Sequence, residues 1–133
     1  MHLLAERTEG TVFVPLGIEI IEVTPERTRL ALTIDHRHRQ HLGFLHGGVS
    51  ALLAESAASL AAASAVDIET HTVAGVDLSA THVRAKRDGR ITATATPLHR
   101  GRTTHVYDVR ITDEDDRLVC VARCTIAIRT MHR

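Results

Sequence analysis

Gly47-Gly48-Val49-Ser50-Ala51-Leu52-Leu53-Ala54-Glu55-Ser56-Ala57-Ala58-Ser59-Leu60-Ala61-Ala62-Ala63-Ser64-Ala65-Val66 holds a single charged side chain, Glu55, among Gly, Ala, Leu, Val and Ser. Alanine-rich runs favour helix, so this stretch predicts a helix over about 47–65. A helix that is apolar nearly all round is a buried helix. A carboxylate within it costs free energy unless it is paired, neutralised or used. Glu55 and Ser59 are spaced i and i+4 and therefore share a face. Ala51 and Ala62 flank them, and with Ala58 they read as the small-residue wall of a cavity, while Leu52, Leu53 and Leu60 point to the core. His46-Gly47-Gly48 opens the helix. Backbone N–H groups left free at such a start can hold an oxyanion, and glycine lets other groups approach closely. Gln40, just upstream, adds a neutral donor. From the helix alone a Glu55 that reaches solvent, or pairs with an arginine, remains an alternative. With its flanks, the pattern outlines an acyl-transfer or hydrolytic site.

Working outward, residues 17–23 and 27–34 alternate apolar and polar around the turn Thr24-Pro25-Glu26 and predict a hairpin. Residues 35–45 are polar, histidine-rich and aperiodic, hence a loop. Beyond the helix, strands are expected over about 72–83, 90–97, 103–112 and 118–128. Asp88-Gly89 fits a hairpin turn between the first two. Asp113-Glu114-Asp115-Asp116 reads as a solvated acidic turn rather than a metal site. Residues 1–10 form an arm or a short helix. The expectation is therefore one α+β domain over 1–133: a curved antiparallel sheet of about five or six strands, continuing as a meander and wrapped around one long apolar helix. Exposed sheet edges predict pairing with a second copy, a homodimer at least.

Composition narrows the function classes. At 133 residues the chain fits one domain, and a chain of this size buries roughly 70% of its unfolded surface without needing staples. Sixteen basic residues balance sixteen acidic ones, which argues against a nucleic-acid partner. Phe13, Phe44 and Tyr107 are the only aromatics, too few for a base-stacking platform. Cys120 and Cys124 share a strand face but stand too far apart along it to bond to each other; they read as reduced, buried thiols of a cytosolic protein. Glu55 and the serines interrupt any membrane span, and Met1 to Arg7 lacks a signal-peptide core; the expectation is cytoplasmic, with no membrane partner. His36, His38, His41 and His46 cluster around the loop, yet no His-Glu-x-x-His or Cys-x-x-Cys spacing occurs. No metal site is expected.

Gln40-His41-Leu42-Gly43-Phe44-Leu45-His46-Gly47-Gly48, followed by Leu53-Ala54-Glu55-Ser56, resembles the hotdog-fold acyl-CoA thioesterases. The likeness is to the PaaI-like branch, which holds the Arthrobacter-type 4-hydroxybenzoyl-CoA thioesterases and the 1,4-dihydroxy-2-naphthoyl-CoA hydrolases. Residues 73–84 and 97–104 extend it, so that it covers about 10–130. The resemblance implies Glu55 as nucleophile or general base, Gly47 as the N–H that polarises the thioester carbonyl, and Gln40 as its assistant. It implies His46 lining the same pocket and Ser59 placing the carboxylate or water. Gly75, His82, Val83, Arg84, His99, Arg100, Gly101, Arg102 and Thr103 match the region that holds acyl-CoA. The branch with a catalytic Asp near the N-terminus does not fit, because residues 11–23 contain no Asp. Basic residues near strand ends, namely Arg84, Lys86, Arg87, Arg90, Arg100 and Arg102, are candidates for the CoA phosphates. The implied reaction hydrolyses an aryl- or hydroxyaryl-CoA to acid and coenzyme A, which is part of the substrate, so no separate cofactor is expected. The implied assembly is a homodimer with active sites at the interface, paired again as a dimer of dimers. Competing readings are a hydratase-like relative, a non-catalytic acyl-CoA or acyl-carrier binding module, or an acyl-carrier-protein thioesterase.

Overall fold

A computed structural model describes residues 3–131. Six strands form one antiparallel sheet: β1 (Glu19–Val23), β2 (Thr28–Ile34), β3 (His71–His82), β4 (Gly89–Arg100), β5 (Thr104–Thr112) and β6 (Leu118–Thr130). Their order across the sheet is β1-β2-β4-β5-β6-β3. A short helix, α1 (Phe13–Leu16), precedes β1, and the long α2 (Gly47–Ser64) lies between β2 and β3. A 3-10 turn at Leu3–Glu6 occupies part of the expected N-terminal arm, and another at His36–His38 lies within the expected loop.

Both expected strand sets form, but their connection differs from the expected meander. β3 pairs with β6, and β4 pairs with β2. Asp88-Gly89 is therefore no hairpin turn. Gly89 does adopt φ 92°, as a turn glycine would, but the chain there returns from the far edge of the sheet to its middle.

The sheet curves around α2 and buries one side of it. Leu53, Ala54, Ala57, Ala58, Ala61 and Ala62 pack against Leu30, Leu32, Ile91, Tyr107, Val109 and Ile126. Alanine on the helix lets the two backbones approach, so that side chains from β2 to β6 fill the layer. Ala58 and Ala62 belong to this core, not to the wall beside Glu55 as expected. Leu52 and Leu60 are only partly buried. They border an uncovered stripe that also carries Gly48, Glu55, Ser56 and Ser59. This architecture is the hotdog fold expected from the resemblance. Among the described residues, no helix is long and apolar enough to cross a membrane.

Candidate active site

The start of α2 is built by its preceding loop. His38 is buried, and both of its ring nitrogens are used: Nδ1 accepts from Asp35 N–H at 3.0 Å, so Nε2 carries the proton it shares with Leu16 C=O at 2.8 Å. That fixes the strand exit, and His38 C=O receives the His46 N–H. Between them the chain makes a tight loop closed by the Arg39–Leu45 bridge and by Gln40 N–H to Phe44 C=O. Gly43 turns it with φ 89°, a region where a side chain would be strained. Arg87 stacks over Phe44, its guanidinium carbon 4.2 Å from the ring centroid. Gln40 Oε1 accepts the N–H groups of Leu42 and Phe44. Its carbonyl end is thereby anchored, which leaves the NH₂ end as a donor.

His46 caps the helix. Its Nδ1 accepts from Gly48 N–H at 2.7 Å, and the side chain is exposed. It is thus a capping residue rather than the pocket lining expected. The cap satisfies Gly48 but not Gly47, whose N–H makes no hydrogen bond among the described residues. A Cβ at Gly47 would stand 2.8 Å from His82 Nε2, so glycine here lets the ring of His82 cross the helix start. Gln40, Gly47, Ser50, His82, Val83 and Arg84 line a hollow of about 400 Å³.

Glu55 lies elsewhere. It is eight residues along α2 from Gly47, about 12 Å by helical rise. Its side chain is exposed in the chain, not buried as the sequence suggested, because it sits on the uncovered stripe. Its carboxylate rests against Gly75 on β3, where an added Cβ would stand 3.1 Å from Cδ and Oε1. Gly75 adjoins a bulge, the register shifting between Gly75 and Asp77. Glu55 has no hydrogen-bond or ion-pair partner among the described residues. Its negative charge, with that of Asp77, adds to burial in pushing the Cys124 thiol up to about 11. Cys120 and Cys124 are both buried and unbonded.

Glu55 and Ser59 line a second cavity, of about 310 Å³, together with Leu60. The opposite wall is N-terminal: Arg7, Thr8, Thr11 and Phe13. None of these wall residues was expected, because no local pattern marks a contact made across 40 or more positions. Ser50, buried under the first hollow, was likewise missed.

The residues expected at acyl-CoA fall into separate places. Gly75 borders Glu55, and His82 to Arg84 border the first hollow. His99 and Arg100 end β4 and Gly101 to Thr103 connect it to β5, where Thr103 C=O accepts Ile128 N–H near the end of β6. His82 pairs with Cys120 near its beginning. Eight residues of extended strand, about 27 Å, separate the two groups within one chain. The basic candidates also divide. Lys86 is tied to Glu114 at 2.8 Å and Asp113 at 3.6 Å, and Arg90 to Glu19. Arg100 lies 3.9 Å from Glu26. Arg84 and Arg102 remain exposed with no ion pair among the described residues.

The acidic turn is not simply a solvated tip. Asp113 is buried and accepts from the N–H groups of Asp115 and Arg117 and from Arg117 Nε. Burial alone would raise its pKa, but those bonds and the Arg117 charge hold it down at about 2. Asp113, Glu114 and Asp115 are the only three potential ligands within metal-binding reach among the described residues, and Lys86 and Arg117 already engage this trio.

Comparison with known proteins gives the family. The profile of the Thioesterase superfamily matches residues 42–120. A 1,4-dihydroxy-2-naphthoyl-CoA hydrolase of Listeria monocytogenes is 41% identical over 114 residues, 86% of this chain and 92% of that protein. An Escherichia coli protein of the same description is 37% identical over 90% of this chain and 88% of its own. The crystal structure of a Haemophilus influenzae thioesterase superposes with a TM-score of 0.91 at 37% identity, covering 98% of this chain and 90% of that one.

Proposed function

The chain belongs to the thioesterase superfamily, and from that premise we propose that it hydrolyses an aryl- or hydroxyaryl-CoA thioester to the free acid and coenzyme A. One observation carries the proposal: Glu55 is an unpaired carboxylate facing an acyl-sized cavity, on the same helix whose first N–H, at Gly47, is also unpaired.

Each group has a part in the reaction. As the carbonyl carbon is attacked, its oxygen gains negative charge. Gly47 N–H and the Gln40 NH₂ donate to that oxygen, and the helix dipole reinforces them; loss of one such donor costs roughly 3–4 kcal/mol in comparable enzymes. Glu55 either takes a proton from the attacking water or attacks the carbon itself to give an anhydride that water then opens. Ser59, one turn along, places the water or the carboxylate. The C–S bond breaks as the tetrahedral state collapses, and the pair of electrons leaves on the coenzyme A thiolate. A thiolate leaves readily, so no strong general acid is required.

Glu55 and Gly47 of one chain are too far apart along the helix to act on one carbonyl. A second copy resolves this. β3 is a long edge strand, and its side chains from Ala74 to Asp77 are exposed. Antiparallel pairing of two β3 strands about a two-fold axis at Ser79 would, through the bulge at Gly75, bring Gly75 toward His82 of the other copy, and hence Glu55 toward Gly47. The same pairing would bring the free Arg102 of one copy toward the free Arg84 of the other, two cations for the CoA phosphates. The homodimer would therefore carry two composite sites, and a further pairing of dimers is compatible with this use of β3.

The test is thiol release from a panel of aryl-, short-chain and long-chain acyl-CoA thioesters. Glu55→Gln and Glu55→Ala lose at least ~100-fold in hydrolysis while staying folded. Thiol release undiminished in folded Glu55→Ala would overturn the role given to Glu55, and no thiol release by wild type from any member of the panel would favour a binding module.

A further inference from the structure

We propose that Arg7 selects the acyl group, its guanidinium binding a hydroxyl or carboxylate oxygen at the end remote from the thioester. The inference rests on the thioesterase reading above and extends it to a residue outside the likeness that suggested that reading.

The cavity beside Glu55 is mostly apolar, with Phe13, Ile20 and Leu60 supplying its body. Among the described residues Arg7 is its one cation, and its guanidinium has no hydrogen-bond or ion-pair partner among them. Its position is distal. Arg7 also borders a neighbouring hollow whose wall includes Ala63 and Ile68, so it stands where the two spaces meet. Ala63 is eight residues beyond Glu55 on α2, about 12 Å by helical rise. Among the described residues the cavity therefore has two charged lining residues, the Glu55 carboxylate and the Arg7 cation, with Arg7 on the side of the neighbouring hollow. That polarity orients a ligand. An acyl group bearing an oxygen acceptor meets repulsion near Glu55 and a fork of N–H donors near Arg7. Glu69 lines the neighbouring hollow, and among the described residues it forms no ion pair with Arg7.

The experiment compares kcat/KM for benzoyl-CoA, 4-hydroxybenzoyl-CoA and 4-carboxybenzoyl-CoA in wild type, Arg7→Gln and Arg7→Lys. A hydrogen bond to a charged donor supports discrimination on the order of tenfold or more. Wild type is expected to favour one or both oxygen-bearing substrates over benzoyl-CoA by that factor. The preferred arm identifies the oxygen as hydroxyl or carboxylate. Arg7→Gln is expected to collapse the ratio toward one, and Arg7→Lys to keep part of it for the carboxylate arm. Equal rates on all three substrates in wild type overturn the inference while leaving the thioesterase reading intact. So does Arg7→Gln lowering all three by a common factor, which marks a structural role. Failure of wild type to hydrolyse any of the three, or any member of the wider panel, removes the thioesterase reading and the inference with it.

Discussion

Gly75→Ala separates the position of Glu55 from the stability of the fold. The alanine Cβ would stand 3.1 Å from Glu55 Cδ and Oε1 and 3.3 Å from Cγ, so the carboxylate must give by a few tenths of an ångström. Nothing holds Glu55 in place from the other side, since it has no polar partner among the described residues. The backbone, by contrast, accepts alanine, because Gly75 is not among the glycines at positive φ. Alanine at a compatible glycine position stabilises by about 0.4–1 kcal/mol through the unfolded chain. Activity moves the other way. A misplacement of 1 Å can cost on the order of 100-fold, so a shift of a few tenths should cost roughly three- to tenfold. The expected result is a Tm unchanged or raised, with kcat/KM for a benzoyl-CoA substrate reduced by that factor. The measurement is repeated in a Glu55→Ala background. If Gly75 acts only through Glu55, the second substitution adds no further loss there. An unchanged kcat/KM in Gly75→Ala would refute the argument. So would the same fractional loss in both backgrounds, which would mean that β3 acts on the reaction by a route other than Glu55.

Two further outcomes are expected. Mixing Glu55→Ala with Gln40→Ala protein after co-refolding should restore about a quarter of wild-type activity, because half of randomly formed dimers are mixed and each carries one intact site; no recovery despite verified subunit exchange would place both groups in one chain. Asp113 should govern acid stability. Its folded pKa of about 2 lies below its ordinary value, so its contribution is complete above about pH 4 and is lost as pH falls through about 2. The Tm gap between wild type and Asp113→Asn should therefore be present at pH 7 and close toward pH 2, and a gap that persists undiminished at pH 2 would contradict that account.

Element by element, the periodic segments were legible and their partners were not. The helix over 47–64 and the six strands follow from composition and alternation, which are local. The Asp88-Gly89 signal is also local and correctly marks a positive-φ glycine, but turn chemistry says nothing of which strand lies alongside. β3 goes to the edge beside β6, a pairing decided by how the sheet closes over α2. Glu55 could be singled out by charge alone. Its exposure could not, since the helix is apolar on its open side as well as on its buried side, and no sequence period separates the two. Among the basic residues, Lys86 and Arg90 look no different in sequence from Arg84 and Arg102. Only the fold puts Glu114 and Glu19 beside the first pair and leaves the second pair bare.

Cys124 shows why Glu55 has no nearby rival. It pairs across from Leu78 on β6, close to the strand that supports Glu55. A thiolate at that place could capture the acyl group from a thioester by exchange and stall turnover. Burial is the main cause that keeps the thiol protonated, and the charges of Glu55 and Asp77 push the same way, to about 11. Only roughly one part in ten thousand is then thiolate at pH 7. The carboxylate thus adds to what burial already does to Cys124, and it does so only while ionised, the state in which it can itself take a proton from water or attack carbon. On the thioesterase reading, the charge that looked costly on an apolar helix both supplies the reaction and protects it.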